Sequence, residues 1–160
     1  MNGKIKTIDE IAQIADALKK QGRKIVFTNG CFDLLHLGHV KYLQQSRALG
    51  DVLVLALNSD ASVRELKGPS RPLVPENERA EILSALECVD FVVIFNEKRI
   101  NRAFEAVKPQ VYVKGGDYTT DTLDQDERRM IEKSGAKIHI IKKIGNYSTT
   151  NIINKISGSA

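Results

Sequence analysis

Cysteine is scarce in this 160-residue chain, which holds only Cys31 and Cys88. Two thiols are too few for a disulfide framework or for a zinc site of their own. Tryptophan is absent, and the aromatic complement is five phenylalanines and four tyrosines. Basic residues are spread along the chain rather than clustered, so no nucleic-acid partner is expected. Long apolar runs are missing too. The longest, residues 52–57, falls far short of the roughly 20 residues that cross a bilayer, so no membrane partner is expected. The N-terminal stretch MNGKIKTIDE lacks the apolar core of a signal peptide, which makes a cytoplasmic location the expectation.

What is present is ordinary for a globular protein, with 42% hydrophobic and 28% charged residues. The length suits one domain, residues 1–160, able to bury its own core. The net charge of +4 suits an anionic ligand without specifying one.

Helix and strand patterns alternate along the chain. Thr7 and Glu10 have the spacing of a capping box, and Ile8, Ile11, Ile14, Ala15 and Leu18 make an apolar stripe that Gly22 ends. Strands are predicted at 24–29, 51–57, 91–95, 111–113 and 138–141. Residues 52–57 are apolar without alternation, as in a parallel sheet covered on both faces. Helices are predicted at 37–49, 76–86, 97–107, 124–134 and 149–156. Residues 60–75, which include Lys67-Gly68-Pro69-Ser70-Arg71-Pro72, read as a loop. This order predicts a three-layer α/β/α domain around a five-stranded parallel sheet. Ligands of such folds bind at the carboxyl ends of the strands. The helix within residues 1–22 must bury its stripe against this core or a second subunit, and a homo-oligomer, a dimer, is expected.

Residues 30–39, GCFDLLHLGH, leave the first predicted core strand and enter a helix near Leu37. Unpaired N–H groups at a helix N-terminus carry partial positive charge and suit phosphate. His36 and His39, three residues apart, share one face of the first turn. Gly30 allows close backbone approach to a ligand, and Gly38 keeps the helix start clear of side-chain bulk. Local capping is the competing role for the histidines. Paired-histidine zinc helices use i, i+4 spacing, so metal ligation by this i, i+3 pair is not expected. Asp33 is a candidate helix cap or metal-holding carboxylate. Cys31 has no base placed beside it by sequence and reads as a small, inert thiol.

Other segments follow strands in the same way. Ser148-Thr149-Thr150 would place hydroxyls and free N–H groups at the start of the final helix, either as a second anion site or as a plain N-cap. In Lys114-Gly115-Gly116-Asp117-Tyr118 the glycines permit close approach or an αL turn. Asn58 and Asp60 follow the second strand, to cap a short helix or reach a substrate. Lys67, Arg71 and Arg79 are the candidates for a phosphate-bearing substrate, since arginine forks match phosphate oxygens in pairs. For Arg79 a surface salt bridge competes. Lys41 lies one turn into the motif helix and could point either way.

GCFDLLHLGH resembles the HxGH signature of the nucleotidyltransferase superfamily, which includes cytidylyltransferases and class I aminoacyl-tRNA synthetases. The likeness continues through Asn58-Ser59-Asp60, residues 67–72, VKGGDY at 113–118 and YSTTNII at 147–153. It covers roughly residues 23–157. VKGGDY and STTNII in this order resemble the adenylyltransferases of ADP-heptose synthesis, free-standing or fused to a kinase.

The resemblance implies a Rossmann-like nucleotidyltransferase fold and an enzyme that transfers AMP from ATP to D-glycero-β-D-manno-heptose 1-phosphate, releasing pyrophosphate. ATP is then the co-substrate, carrying Mg²⁺, and a sugar phosphate is the partner molecule. By resemblance His36 and His39, with Lys41 nearby, stabilise the transition state. Gly30, Cys31, Phe32, Asp33 and Gly38 would hold ATP with Lys114, Gly115, Asp117, Ser148, Thr149 and Thr150, Asp117 facing ribose hydroxyls. Asn58, Asp60, Lys67, Arg71 and Arg79 would face the sugar phosphate. Related cytidylyltransferases carry an arginine a few residues before the STT segment. Gly145-Asn146-Tyr147 stands here instead, leaving Lys142 or Lys143 as the candidate cation for the β- and γ-phosphates. A glycerol-3-phosphate cytidylyltransferase, an FMN adenylyltransferase and a non-catalytic nucleotide-binding module are the alternatives.

Overall fold

The strand Val52–Asn58 is buried at every position, which is why its sequence shows no polar alternation. It lies within a wholly parallel six-stranded sheet of order β1-β4-β3-β2-β5-β6. The strands are β1 (Ile5–Lys6), β2 (Ile25–Gly30), β3 (Val52–Asn58), β4 (Phe91–Phe95), β5 (Val111–Gly115) and β6 (Lys137–Ile141). The helices are α1 (Ile8–Lys20), α2 (Leu37–Arg47), α3 (Asp60–Lys67), α4 (Glu76–Ser84), α5 (Asn101–Val107), α6 (Gln125–Ser134) and α7 (Thr149–Ser157). The computed structural model describes residues 3–116 and 119–158.

Successive residues of the central strands feed opposite faces, as strand geometry requires. Ile25, Phe27, Val52 and Val54 pack with Ile11 and Ala15 of α1, Phe104 of α5 and Ile131 of α6. Val26, Leu53, Leu55 and Leu57 pack with Leu43 of α2 and with Ala80 and Leu83 of α4. The result is an α/β three-layer domain. The α1 stripe is thus covered by the core, and its start carries the expected box: the Glu10 N–H donates to Thr7 Oγ1 (3.2 Å) and the Thr7 N–H to Glu10 Oε2 (2.8 Å).

Three expectations need correction. The sheet has six strands, not five, because Ile5 and Lys6 pair with Val92 and Val93 at its edge. A two-residue strand carries no readable period. Residues 60–67 form helix α3, not loop. Ser59 caps it by accepting from the Ser62 N–H, and loop chemistry begins only at Gly68. Helix α5 starts at Asn101, four residues later than predicted.

Strands β3 and β4 lie to one side of β2, and β5 and β6 to the other. The connections therefore diverge between β2 and β5, and a crevice opens beyond their carboxyl ends. Among the described residues no helix is long and apolar enough to cross a membrane.

Candidate active site

The chain leaves β2 at Gly30 and turns sharply. Phe32 takes a left-handed φ of 44°, and its ring folds back over Gly30, where an added Cβ would lie 2.7 Å from it. Gly30 leaves room for the Phe32 ring. Helix α2 then begins with His36 as N-cap and no side chain capping its first N–H groups. Gly38 and His39 of this first turn line a cavity of about 380 Å³ that β2, β5 and the start of α7 also line.

The two motif histidines stand together at its wall. Their rings are stacked, with centroids 3.8 Å apart and planes 18° from parallel. Both Nδ1 atoms are buried with no hydrogen-bond partner among the described residues. Burial, then the neighbouring His36 and Lys67, pushes His39 down to about 4, against an opposing hydrogen bond to the Leu34 backbone. Burial, then Lys143, lowers His36 as well. Near neutral pH both rings are uncharged.

Cations flank this pair on two sides. Lys67 and Arg71 line the wall contributed by α3 and the loop after it, and Lys142 and Lys143 the wall after β6. Ser148, Thr149 and Thr150 close the same wall at the start of α7. The Ser148 hydroxyl is occupied as a cap, accepting from the Asn151 N–H at 3.0 Å. Thr149 Oγ1 donates to the Leu34 carbonyl at 3.3 Å, docking α7 onto the motif loop.

Asp33 is neither a helix cap nor free to hold a metal. Its buried carboxylate accepts from Arg71 Nε (2.6 Å) and from the N–H groups of Leu73 and Val74 (both 2.9 Å). Burial alone would raise this carboxyl, but the Val74 and Leu73 N–H groups and Arg71 hold it below the usual range. Asp33 therefore ties the loop after α3 to the turn between β2 and α2 and aims Arg71.

Arg79 departs further from expectation. It is fully buried, not a surface salt bridge, and its guanidinium is spent inward. It donates to the carbonyls of Val74 (2.8 Å), Cys31 (2.6 Å) and Asn58 (2.9 Å) and to Asp60 Oδ1 (2.6 Å). Asn58 is buried and donates to Ser62 Oγ, while Asp60 pairs with Arg79. These three residues support the site from behind and do not line it. Lys41 is exposed on α2 and lies off the cavity wall. Lys114 is half-buried on β5, where Gly115 and Gly116 form the wall. Asp117 and Tyr118 lie outside the described residues. Cys31 lines the cavity, and burial pushes its thiol up, so it stays protonated.

Two tyrosines of the site carry roles that sequence reasoning did not assign. Tyr42 lies three residues beyond His39 on α2, and its hydroxyl bonds Thr28 Oγ1 and the Val113 carbonyl, pinning the motif helix to β2 and β5. That i, i+3 spacing was the available signal. Tyr147 lines the cavity mouth with its ring 22° from parallel to His36, centroids 6.4 Å apart. Its place at the head of the YSTTNII segment was the available signal.

Comparison with known proteins agrees with this geometry. A sequence model of the family described as cytidylyltransferase-like matches residues 27–160. The chain is 56% identical over 155 residues to the bifunctional protein HldE of Geotalea uraniireducens (strain Rf4), covering 97% of this chain and 31% of that protein. It thus spans about a third of the length of such relatives. Among solved structures, a lipopolysaccharide core biosynthesis protein from Thermoplasma volcanium GSS1 matches with a TM-score of 0.65 and 32% identity, covering 79% of this chain and all of that one. Pantoate-beta-alanine ligase from Francisella tularensis, solved with an ATP compound and beta-alanine, shares the fold at a TM-score of 0.57 and 17% identity, over 96% of this chain and 77% of that one.

Proposed function

The chain belongs to the cytidylyltransferase-like family, and from that premise we propose that it transfers AMP from ATP to D-glycero-β-D-manno-heptose 1-phosphate, releasing pyrophosphate. The reading rests above all on the stacked His36–His39 pair, which lines the cavity at a helix N-terminus that no side chain caps, between two sets of cations. One set suits the acceptor's phosphate and the other the leaving pyrophosphate, as in-line displacement requires.

The phosphate oxygen of the sugar attacks the α-phosphorus, and the bond to the bridging oxygen of pyrophosphate breaks. A phosphate monoester dianion is already a competent nucleophile, so no covalent enzyme intermediate is needed. The protein contributes position and charge stabilisation, the main resources in phosphoryl-group transfer. Arg71, aimed by Asp33, and Lys67 receive the acceptor phosphate. His36, His39 and the first N–H groups of α2 face the α-phosphate, where negative charge develops. Lys143, whose charge already acts on His36, meets the β- and γ-phosphates with Lys142. Mg²⁺ arrives with ATP as part of the substrate, held by the phosphate oxygens.

The heptose acceptor is supported by the VKGGDY and STTNII segments and by likeness to HldE and to a lipopolysaccharide core biosynthesis protein. A matrix of ATP and CTP against heptose 1-phosphate, glycerol 3-phosphate and FMN, with pyrophosphate detected, tests the proposal. ATP with the β-heptose 1-phosphate is expected to be the fastest pair. A preference for CTP or for FMN would overturn it.

A further inference from the structure

Among the described residues, none orients the His36 imidazole by a hydrogen bond. As the N-cap of α2 it has extended backbone (φ −141°, ψ 170°), and its buried Nδ1 has no partner among the described residues. Ligating and catalytic histidines are ordinarily oriented by a hydrogen bond to the second ring nitrogen. Here the orienting contacts are rings. His39 stacks on His36 at 3.8 Å, Phe32 tilts against His39 at 5.2 Å, and Tyr147 lies near-parallel to His36 at 6.4 Å. Offset stacking of this kind restricts rotation about the imidazole's own bonds.

We infer that Tyr147 is a positioning residue for His36, holding by ring contact the orientation in which the imidazole meets the nucleotide's phosphates. The inference rests on the nucleotidyl-transfer reading and adds a residue to it. Two glycines build the contact. Gly38 sits between the partners, and a Cβ there would lie 3.0 Å from both His36 Nδ1 and Tyr147 Cβ. Gly145 takes a left-handed φ of 60°, and a Cβ on it would meet the Tyr147 ring at 3.0 Å. The chain therefore folds Tyr147 back over Gly145 and against the motif helix. The next residues anchor it: Ser148 caps α7, and Thr149 bonds the Leu34 carbonyl of the loop that carries His36.

The ring, not the hydroxyl, is the working part, which makes the test sharp. Tyr147 is 44% exposed, so its replacement spares the core. The chain has three histidines, and His36→Gln assigns the His36 Cε1–H resonance. In Tyr147→Leu that resonance is expected to shift as the Tyr147 ring current is lost, and kcat to fall about tenfold with KM for ATP changed less than about twofold, as for a misaligned catalytic group. Tyr147→Phe is expected to restore both. A Leu variant with wild-type kcat and an unmoved resonance would overturn the inference. So would a Phe variant as impaired as the Leu variant, or a loss residing only in KM for the sugar phosphate. Should wild-type protein release no pyrophosphate with any acceptor, the functional reading fails, while the resonance still decides whether Tyr147 orients His36.

Discussion

Arg71 Nε donates to Asp33 Oδ2 at 2.6 Å, so this cavity-lining cation and the carboxylate of the GCFDLLHLGH turn move as one unit. The Asp33 side chain is only 1% exposed and the Arg71 side chain 15%. Removing the carboxylate leaves the Leu73 and Val74 N–H groups and the guanidinium without their acceptor. Asp33→Ala is expected to cost about 2–3 kcal/mol of stability and to lower kcat/KM for the sugar phosphate about 10²-fold by misplacing Arg71. Denaturant unfolding and acceptor-dependent kinetics check the two halves separately.

Arg71 and Arg79 should separate cleanly under mutation. Arg79→Met strands three carbonyls and Asp60 around a buried apolar side chain, and about 3 kcal/mol of stability should go with it. Arg71→Met takes the cation from a buried carboxylate that keeps its Leu73 and Val74 N–H donors, so it should cost less stability than Arg79→Met, about 1–2 kcal/mol, while activity falls. A fully stable Arg79→Met variant with impaired acceptor binding would return Arg79 to the cavity.

The stacked histidines predict a pH dependence of stability. An unfolded histidine binds a proton near 6.5, whereas folded His39 does so only near 4. Between those values the unfolded chain takes up a proton that the folded chain refuses, so stability falls as pH drops through that window. Above it His39 contributes no slope. His36 acts in the same direction. The depressed Asp33 adds its own loss only at lower pH, as its folded carboxyl protonates. Denaturation midpoints at pH 7.5 and 5.0 should drop less for His39→Gln than for wild type. Equal drops would mean that His39 is not held neutral.

Gly115 tests the seam between β5 and the motif helix. An added Cβ would lie 2.6 Å from the Tyr42 ring, whose hydroxyl is tethered to Thr28 and Val113. The ring cannot swing aside without losing both bonds. Gly115→Ala is expected to cost about 1–3 kcal/mol, as overpacking does, and to weaken ATP binding by displacing α2. Calorimetric titration with ATP and thermal melting read these effects.

The fold was legible where periodicity and caps coincide. The unbroken apolar stretch of β3 and the Thr7–Glu10 box needed no tertiary information. β1 was invisible because two residues cannot carry a period, and α3 was hidden by the glycine and prolines that follow it. In the candidate site, Gly30, His36, His39 and Ser148 were readable because each lies where a strand gives way to a helix start. Arg71 and Arg79 look alike in sequence, and only burial tells the aimed cation from the interior clamp. Tyr147 lies more than a hundred residues from His36 along the chain. Their stacking is a product of topology, which no local pattern encodes.

The most direct test is pyrophosphate release from ATP in a single turnover, with and without D-glycero-β-D-manno-heptose 1-phosphate. Direct in-line attack predicts release only when the sugar phosphate is present, with one ADP-heptose formed for each pyrophosphate. Release of pyrophosphate without the acceptor, or none in its presence, would contradict the account.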